Sequence, residues 1–436
     1  MMRGSSVLVA GAGLAGLAAA HELARAGAAV TIIDARDYAG GRVKTLRAFD
    51  YGAHAEAGGE FIEPDHEETV GLCNFFGLRL VRILREGFTH RHRGADRRFH
   101  LSRTEPWQRL SDALQPLIAK YKAADGDPRA AAIREMASMP LRDWLRRIDA
   151  PADLHAIVNA MRGFFLAEAE EISVLPYVEQ LAQGGSPAQS ELHRIEGGND
   201  RLVDALVRGT AARLLLRHWI RAITQATDRV VVAVRDAAGL TQQLEADFLV
   251  VALPASTLRD IEIRPALPDN QQRAIRQLAY GRATKVLVQS SRSLFGARRA
   301  RAFATDTRLG AFWDASEDQE RPGSIAAFLG GGSAARDLRD AAANNAHSLM
   351  ADLCWLRMDD APIAGVHAFD WTADPLARGG YAYFDPAFDP AWRPLLCRRA
   401  GRIVFAGEHT SERWQGFING AIESGQRAAR ELLGRQ

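Results

Sequence analysis

One run near the start of the chain, "SVLVAGAGLAGLAAAHELARAGAAVTIIDA", constrains the fold more than any other stretch. "SVLVA" is a short apolar run of buried-strand character, and "LAGLAAAHELARAG" reads as a helix ending at Gly27. "AVTIIDA" is a second strand that closes on Asp34. Between the first strand and the helix, Gly11, Gly13 and Gly16 spell a G-x-G-x-x-G turn. In such a unit Gly11 makes the tight turn and Gly13 lets the backbone approach a pyrophosphate. Gly16 lets helix and strand pack closely. The helix start offers unpaired N–H groups and a partial positive charge to the phosphates. Asp34 is spaced to accept hydrogen bonds from a pair of ribose hydroxyls. Alone the glycine pattern is weak. Flanked by both strands and the acid, it is strong for an adenine dinucleotide, without separating FAD from NAD. Arg3 and the apolar run after it have the outline of a secretory signal, but a signal has no reason to be followed by turn, helix and second strand.

The rest of the chain bounds the possibilities. Its 436 residues, 47% hydrophobic and 25% charged, suit two or three globular domains. The net charge of +2, from 55 basic and 53 acidic residues, suggests no polyanionic partner. The one basic cluster, "REGFTHRHRGADRRF", reads as a hairpin turning at "RGAD", a solvated edge rather than a nucleic-acid contact. Cys73, Cys354 and Cys397 are odd in number and widely spaced, matching neither a disulfide framework nor a metal site. A reducing compartment fits, and the cytoplasm is the expected location. No run is long and apolar enough to span a bilayer.

After the second strand comes "DARDYAGGRVKT", then "AHAEAGGEFI". Further on stand "EGGNDRLVDAL", "DFLVVALPAS", "YGRATKVLV", "WTADPLARGGYAY" and the tail "AGEHTSERWQGFINGAIESGQRAAR". In content and order these segments resemble the flavin-containing amine oxidase family: monoamine oxidases, polyamine oxidases, many L-amino-acid oxidases and the flavin histone demethylases. The resemblance runs nearly end to end. It implies an α/β fold of two domains. A Rossmann-type FAD-binding domain (1–85, 190–273 and 390–436) would be interleaved with a sheet-floored substrate domain (86–189 and 274–389). Amphipathic segments such as "ADLHAIVNAMRGFFL" make a helical cap over about 102–188. Strands are expected at "TKVLVQSS" and "SIAAFLG", and a helix around "AANNAHSLMADLCWL".

The resemblance also implies site residues. Asp34 stands at the ribose-binding acid. Arg36, Gly40, Gly41 and Arg42 match the family's "AR…GGR" segment, and Gly58, Gly59, Glu60 and Phe61 match the loop under the flavin edge. Ile220 matches a backbone contact to adenine. Glu408 matches the tail acid that binds the cofactor's sugar chain, and Ile418 the final helix start whose N–H meets the flavin carbonyl. Tyr381 and Phe417 match an aromatic pair standing over the flavin, with Trp414 and Trp371 bordering the same space. Lys285 matches the lysine that touches flavin N5 through a water. A lysine among buried β-branched residues is costly unless it serves something, because desolvation disfavours the ammonium.

The chemistry expected is hydride transfer from the carbon beside an amine to FAD, giving an imine that water hydrolyses, with O2 reduced to hydrogen peroxide. The partners expected are a small-molecule amine and O2, with no nucleic acid or metal, and with room for a homodimer. In monoamine oxidases a cysteine just before the tyrosine of the "GGYAY" segment bonds to the flavin. Here that position is Gly380, and Cys397 belongs to a different element, so FAD is expected to be non-covalent. Alternatives stay open: an L-amino-acid oxidase using a cation such as Arg162, a polyamine oxidase using Glu168, Glu170 and Glu171, a desaturase or protoporphyrinogen-type oxidase on the same scaffold, and a binding scaffold.

Overall fold

The computed structural model describes residues 4–91, 99–100, 105–182, 191–296, 300–356 and 360–434. Its first sheet is parallel and draws on distant parts of the chain, in the order Ile403–Phe405, Phe248–Val251, Ser6–Ala10, Ala29–Ile33, Ala212–Leu215. The central strand shows why a continuous apolar run was needed. Val7 and Val9 pack into one core cluster with the first helix, Leu14–Arg25, and the last, Ile418–Leu433. Leu8 and Ala10 pack into another, with Val230, Val232 and Val234 of a mixed four-stranded sheet. A parallel strand buried on both faces reads as unbroken hydrophobics. The two terminal helices touch closely, because a Cβ on Gly425 would lie 2.1 Å from the carbonyl oxygen of Ala15. The chain's two ends therefore meet on one face of one sheet.

A second sheet has seven strands, in the order Ile363–Asp370, Ala283–Ser290, Ser324–Gly331, Ala311–Asp314, Ala302–Thr305, Thr89–Arg91, Phe99–His100. The expected strands at "TKVLVQSS" and "SIAAFLG" are its second and third members. The basic cluster does form a hairpin, Thr89 opposite His100 at the sheet edge, while its turn at 93–96 lies outside the described residues. Along Ala283–Ser290 every residue is buried and successive side chains alternate. Val286 and Val288 pack with Leu338 of the helix Ser333–Ala343. Leu287 packs with the cap, so Lys285, two residues away, shares the cap-side face.

Six helices, from Glu105–Ala123 to Leu175–Ala182, form the cap over that face. The cap docks through its turn at Arg162–Leu166. A Cβ on Gly331 would stand 2.0 Å from the Arg162 carbonyl oxygen, so only glycine allows the approach.

One expected element is corrected. The helix placed around "AANNAHSLMADLCWL" is broken. The long helix ends at Ala343, Asn345 and Ala346 take left-handed backbone (φ 53° and 56°), and only His347–Ala351 resumes the α-helix. Asparagine adopts that conformation more readily than most residues, so the Asn344–Asn345 pair is the break the apolar pattern hid.

Candidate active site

Where the two sheets and the cap meet lies a cavity of about 850 Å³. That is near the upper end for ligand pockets and more than a small amine needs. It begins at the glycine turn. Gly11 has φ 106°, and a Cβ there would sit 2.8 Å from the Ala252 carbonyl oxygen. Gly16 does not line the cavity. Its Cβ would lie 1.9 Å from the Gly11 carbonyl oxygen, so it serves helix-to-turn packing, as its place in the motif predicted. Gly13 differs from both. Its backbone is ordinary extended chain (φ −73°, ψ 173°), and a Cβ would meet no protein atom closer than 4.0 Å. Protein packing does not explain this glycine; open space over the start of the first helix does. That helix has no acid in its first turn to compete for its N–H groups.

Asp34 closes the strand beside this space. Its carboxylate accepts the Ala12 N–H at 2.7 Å and the Arg36 N–H at 2.8 Å, and burial raises its pKa against those hydrogen bonds. Each oxygen keeps a lone pair for a ribose hydroxyl. Arg36 lines the cavity but is held by a bidentate pair to Asp374 at 2.9 Å on each arm. Ile220 borders the same end from the strand His218–Gln225.

At the other end, Arg42 Nη1 donates to Gly380 O at 2.6 Å and to Glu408 Oε1 at 2.9 Å. Glu408 also accepts the N–H groups of Ala382 and Gly416. Its carboxylate thus ties the "GGR" segment, the "GGYAY" segment and the tail into one wall. Gly58 must be glycine, since a Cβ would fall 1.9 Å from the Arg42 carbonyl oxygen. Gly40, Gly41, Gly59, Phe61 and Ile418 border the cavity as well. The last helix starts there, again without an acid in its first turn. Two helix N-termini therefore open on one cavity.

The aromatic residues converge too. Tyr381 and Phe417 both line the cavity; the Tyr381 hydroxyl donates to the Phe164 carbonyl of the cap, and burial raises its pKa. Trp414 meets Phe417 edge-on at 5.9 Å between centroids, and Trp371 donates its indole N–H to Ala57 O at 2.9 Å. Lys285 is 3% exposed. Its Nζ donates to Glu60 Oε2 at 2.6 Å and to Gly58 O at 3.3 Å, and lies 4.9 Å from the centre of the Trp313 ring. Lys285, expected to hold a water, thus has a protein carboxylate as its partner. Glu60 bonds on through its other oxygen to Arg194 at 2.9 Å and to the Trp313 indole at 3.0 Å.

Other participants escaped the sequence reading. Phe88, Phe164, Leu166 and Phe384 make the far side of the cavity apolar. Glu179 and Arg393 also line it, bonded to each other at 2.6 and 3.1 Å, with the guanidinium 3.7 Å from the centre of the Phe384 ring. The sequence carried no signal for this pair, whose members stand 214 positions apart. Arg162 turns elsewhere, to the Thr307 carbonyl and towards Glu168 at 4.0 Å. Glu168 holds the Ser333 N–H and hydroxyl, Glu170 pairs with Arg142 and Glu171 with Arg282. None of these four residues lines the cavity.

Behind the aromatic wall sits His66, fully buried, with ring centroids 4.8 Å from Trp414 and 5.2 Å from Phe417. Burial lowers its pKa to about 4. A base whose folded pKa is depressed contributes stability above its unfolded value near 6.5, and that contribution is lost as pH falls towards 4. Changing His66 to asparagine, which keeps an acceptor for the Glu63 N–H, is expected to flatten the fall in apoprotein unfolding temperature between pH 6.5 and 4. An unchanged slope would contradict the neutral, buried assignment.

The fold and this cavity define a two-domain dinucleotide-binding protein with a capped, apolar second compartment. The chain belongs to the flavin-containing amine oxidoreductase family, whose model matches residues 14–433. It is 28% identical over 457 residues to AofH of Mycobacterium tuberculosis, a provisionally named flavin-containing monoamine oxidase, covering 98% of this chain and 96% of that one. In fold it is similar to putrescine oxidase bound to putrescine (TM-score 0.86, 21% identity, 99% of each chain). It is likewise similar to cyclohexylamine oxidase from Brevibacterium oxydans (TM-score 0.85, 22% identity, 99% of this chain and all of that one). Among the described residues, no helix is long and apolar enough to cross a membrane, and no group of side chains could hold a metal ion.

Proposed function

We propose that this protein oxidises an amine lacking a second charged group, using non-covalent FAD and passing the electrons to O2 with release of hydrogen peroxide. The observation that carries this reading is the meeting of Lys285 and the aromatic residues Tyr381, Phe417 and Trp414 in the cavity that starts at the glycine turn. Bound FAD would supply a two-electron acceptor for hydride from the carbon bearing the nitrogen. The chain's own groups do the rest. The first helix and the open flank of Gly13 would hold the pyrophosphate, and Asp34 would hold the ribose. The start of the last helix favours negative charge near Ile418. Tyr381 and Phe417 orient the amine by shape and favour an uncharged nitrogen presented for reaction. The cap excludes water.

Charge in the second compartment favours this substrate class over its neighbours. Arg162 and the three cap glutamates are engaged away from the cavity, so neither a carboxylate nor a second ammonium finds the partner those readings required. Glu179 and Arg393, both on the wall, are paired with each other and neutralise one another. Screening amines, amino acids and polyamines for peroxide release tests the reading: amines with an apolar tail are expected to lead. Reduction of the flavin by a polyene or porphyrinogen, and by no amine, would overturn it.

Gly380 supports the non-covalent part of this reading. A Cβ there would meet Leu166 Cδ1 at 2.4 Å and Ala283 Cβ at 2.9 Å, and Cys73, Cys354 and Cys397 all lie off the cavity lining. Acid precipitation is expected to leave the yellow colour in the supernatant. Colour retained in the pellet would contradict this.

A further inference from the structure

We propose that Glu60 is the positioning residue of Lys285, and that it acts on the reaction only through that lysine. The inference rests on the amine-oxidising reading above. An ammonium has three N–H donors. Glu60 Oε2 takes one at 2.6 Å and the Gly58 carbonyl takes a second at 3.3 Å, which leaves one for whatever enters the cavity. Both side chains are nearly sealed, at 3% and 2% exposure. Their contact is therefore not the weak, screened ion pair of a surface.

Glu60 is itself fixed. Its other oxygen accepts from Arg194 and Trp313, and Arg194 reaches Asp318 at 2.5 Å and the Ala315 carbonyl at 2.8 Å. Lysine, glutamate, arginine and aspartate alternate in sign, so the buried chain is neutral as a unit. Glu56 stands close by but is satisfied separately, by the Thr45 hydroxyl and the Asn199 N–H. The loop backbone has bonds of its own as well: the Gly59 N–H donates to the Arg42 carbonyl at 3.0 Å, and the Glu60 carbonyl accepts from Asn199 Nδ2 at 2.8 Å. The carboxylate carries a fixed orientation from Arg194 and Trp313 to the lysine. Lys285 is thereby aimed by protein groups before any ligand arrives.

A double-mutant cycle tests this. Glu60→Gln keeps the shape and removes the charge. It is expected to retain FAD, yet to slow anaerobic flavin reduction by an amine at least about tenfold. In a Lys285→Met background the same substitution should change that rate by less than about twofold. A parent-like rate for Glu60→Gln, or an equal loss in both backgrounds, would overturn the proposal. If Glu60→Gln fails to fold, Glu60→Asp, which keeps the charge and withdraws it by one methylene, should fold and still be slower than the parent. Parent-like speed there would overturn the proposal too. Thermal unfolding of the four apoproteins gives a readout that needs no substrate. Losses smaller than the sum of the single changes are expected, and strictly additive losses would contradict the contact. If no amine reduces the parent flavin, the functional reading fails, and the apoprotein cycle still decides the pairing.

Discussion

Replacing Gly13 with valine is expected to yield a folded apoprotein that has lost its cofactor. The residue has extended backbone open to any side chain, and the nearest protein atom to where its Cβ would sit, the Gly40 carbonyl oxygen, is 4.0 Å away. The new methyls would enter the space over the N-terminus of the first helix, where the pyrophosphate is proposed to lie. FAD affinity should fall at least about a hundredfold, about 2.7 kcal/mol, while apoprotein unfolding stays close to the parent. Titration of FAD fluorescence, with a thermal melt beside it, measures both. Parent-like affinity would place the phosphates elsewhere. Gly16→Val is the contrast. There the added carbon meets the Gly11 carbonyl at 1.9 Å, so the fold itself should suffer.

Lys285→Met carries the second large effect. Methionine keeps most of the volume and removes the charge. Arg194 and Trp313 would still hold Glu60 through Oε1, although Oε2 would lose its bond to Lys285. The variant should therefore fold and keep FAD, yet turn over at least about tenfold more slowly, equivalent to about 1.4 kcal/mol of barrier. Stopped-flow measurement of flavin reduction and reoxidation would locate the loss. Rates matching the parent in both half-reactions would make Lys285 a packing residue.

What could be read in the chain depended on how local the physics was. The glycine turn, its two strands and Asp34 form one supersecondary unit, so spacing alone placed them. The resemblance supplied the distant members: Glu408 reaches Arg42 across 366 positions, a contact no periodicity could show. Lys285 was legible as a buried cation demanding a purpose. Its partner Glu60 was read only as loop, because the two stand 225 positions apart and the carboxylate's direction depends on how loop and sheet pack. Arg162 failed as a cavity cation for a similar reason. It lies in a short helix whose neighbours Phe164 and Leu166 face the cavity, while its guanidinium turns to Thr307. Helical periodicity names a face but not which face the cap presents. The broken helix at Asn345–Ala346 was local, and the paired asparagines were its signal.

The most direct test of the central claim is anaerobic mixing of the purified yellow protein with the amine that leads the peroxide screen. The account predicts that the flavin absorbance bleaches, then returns on admission of air with hydrogen peroxide released in proportion to the flavin. A flavin that no amine bleaches, or a bleached flavin that returns no peroxide in air, would contradict it.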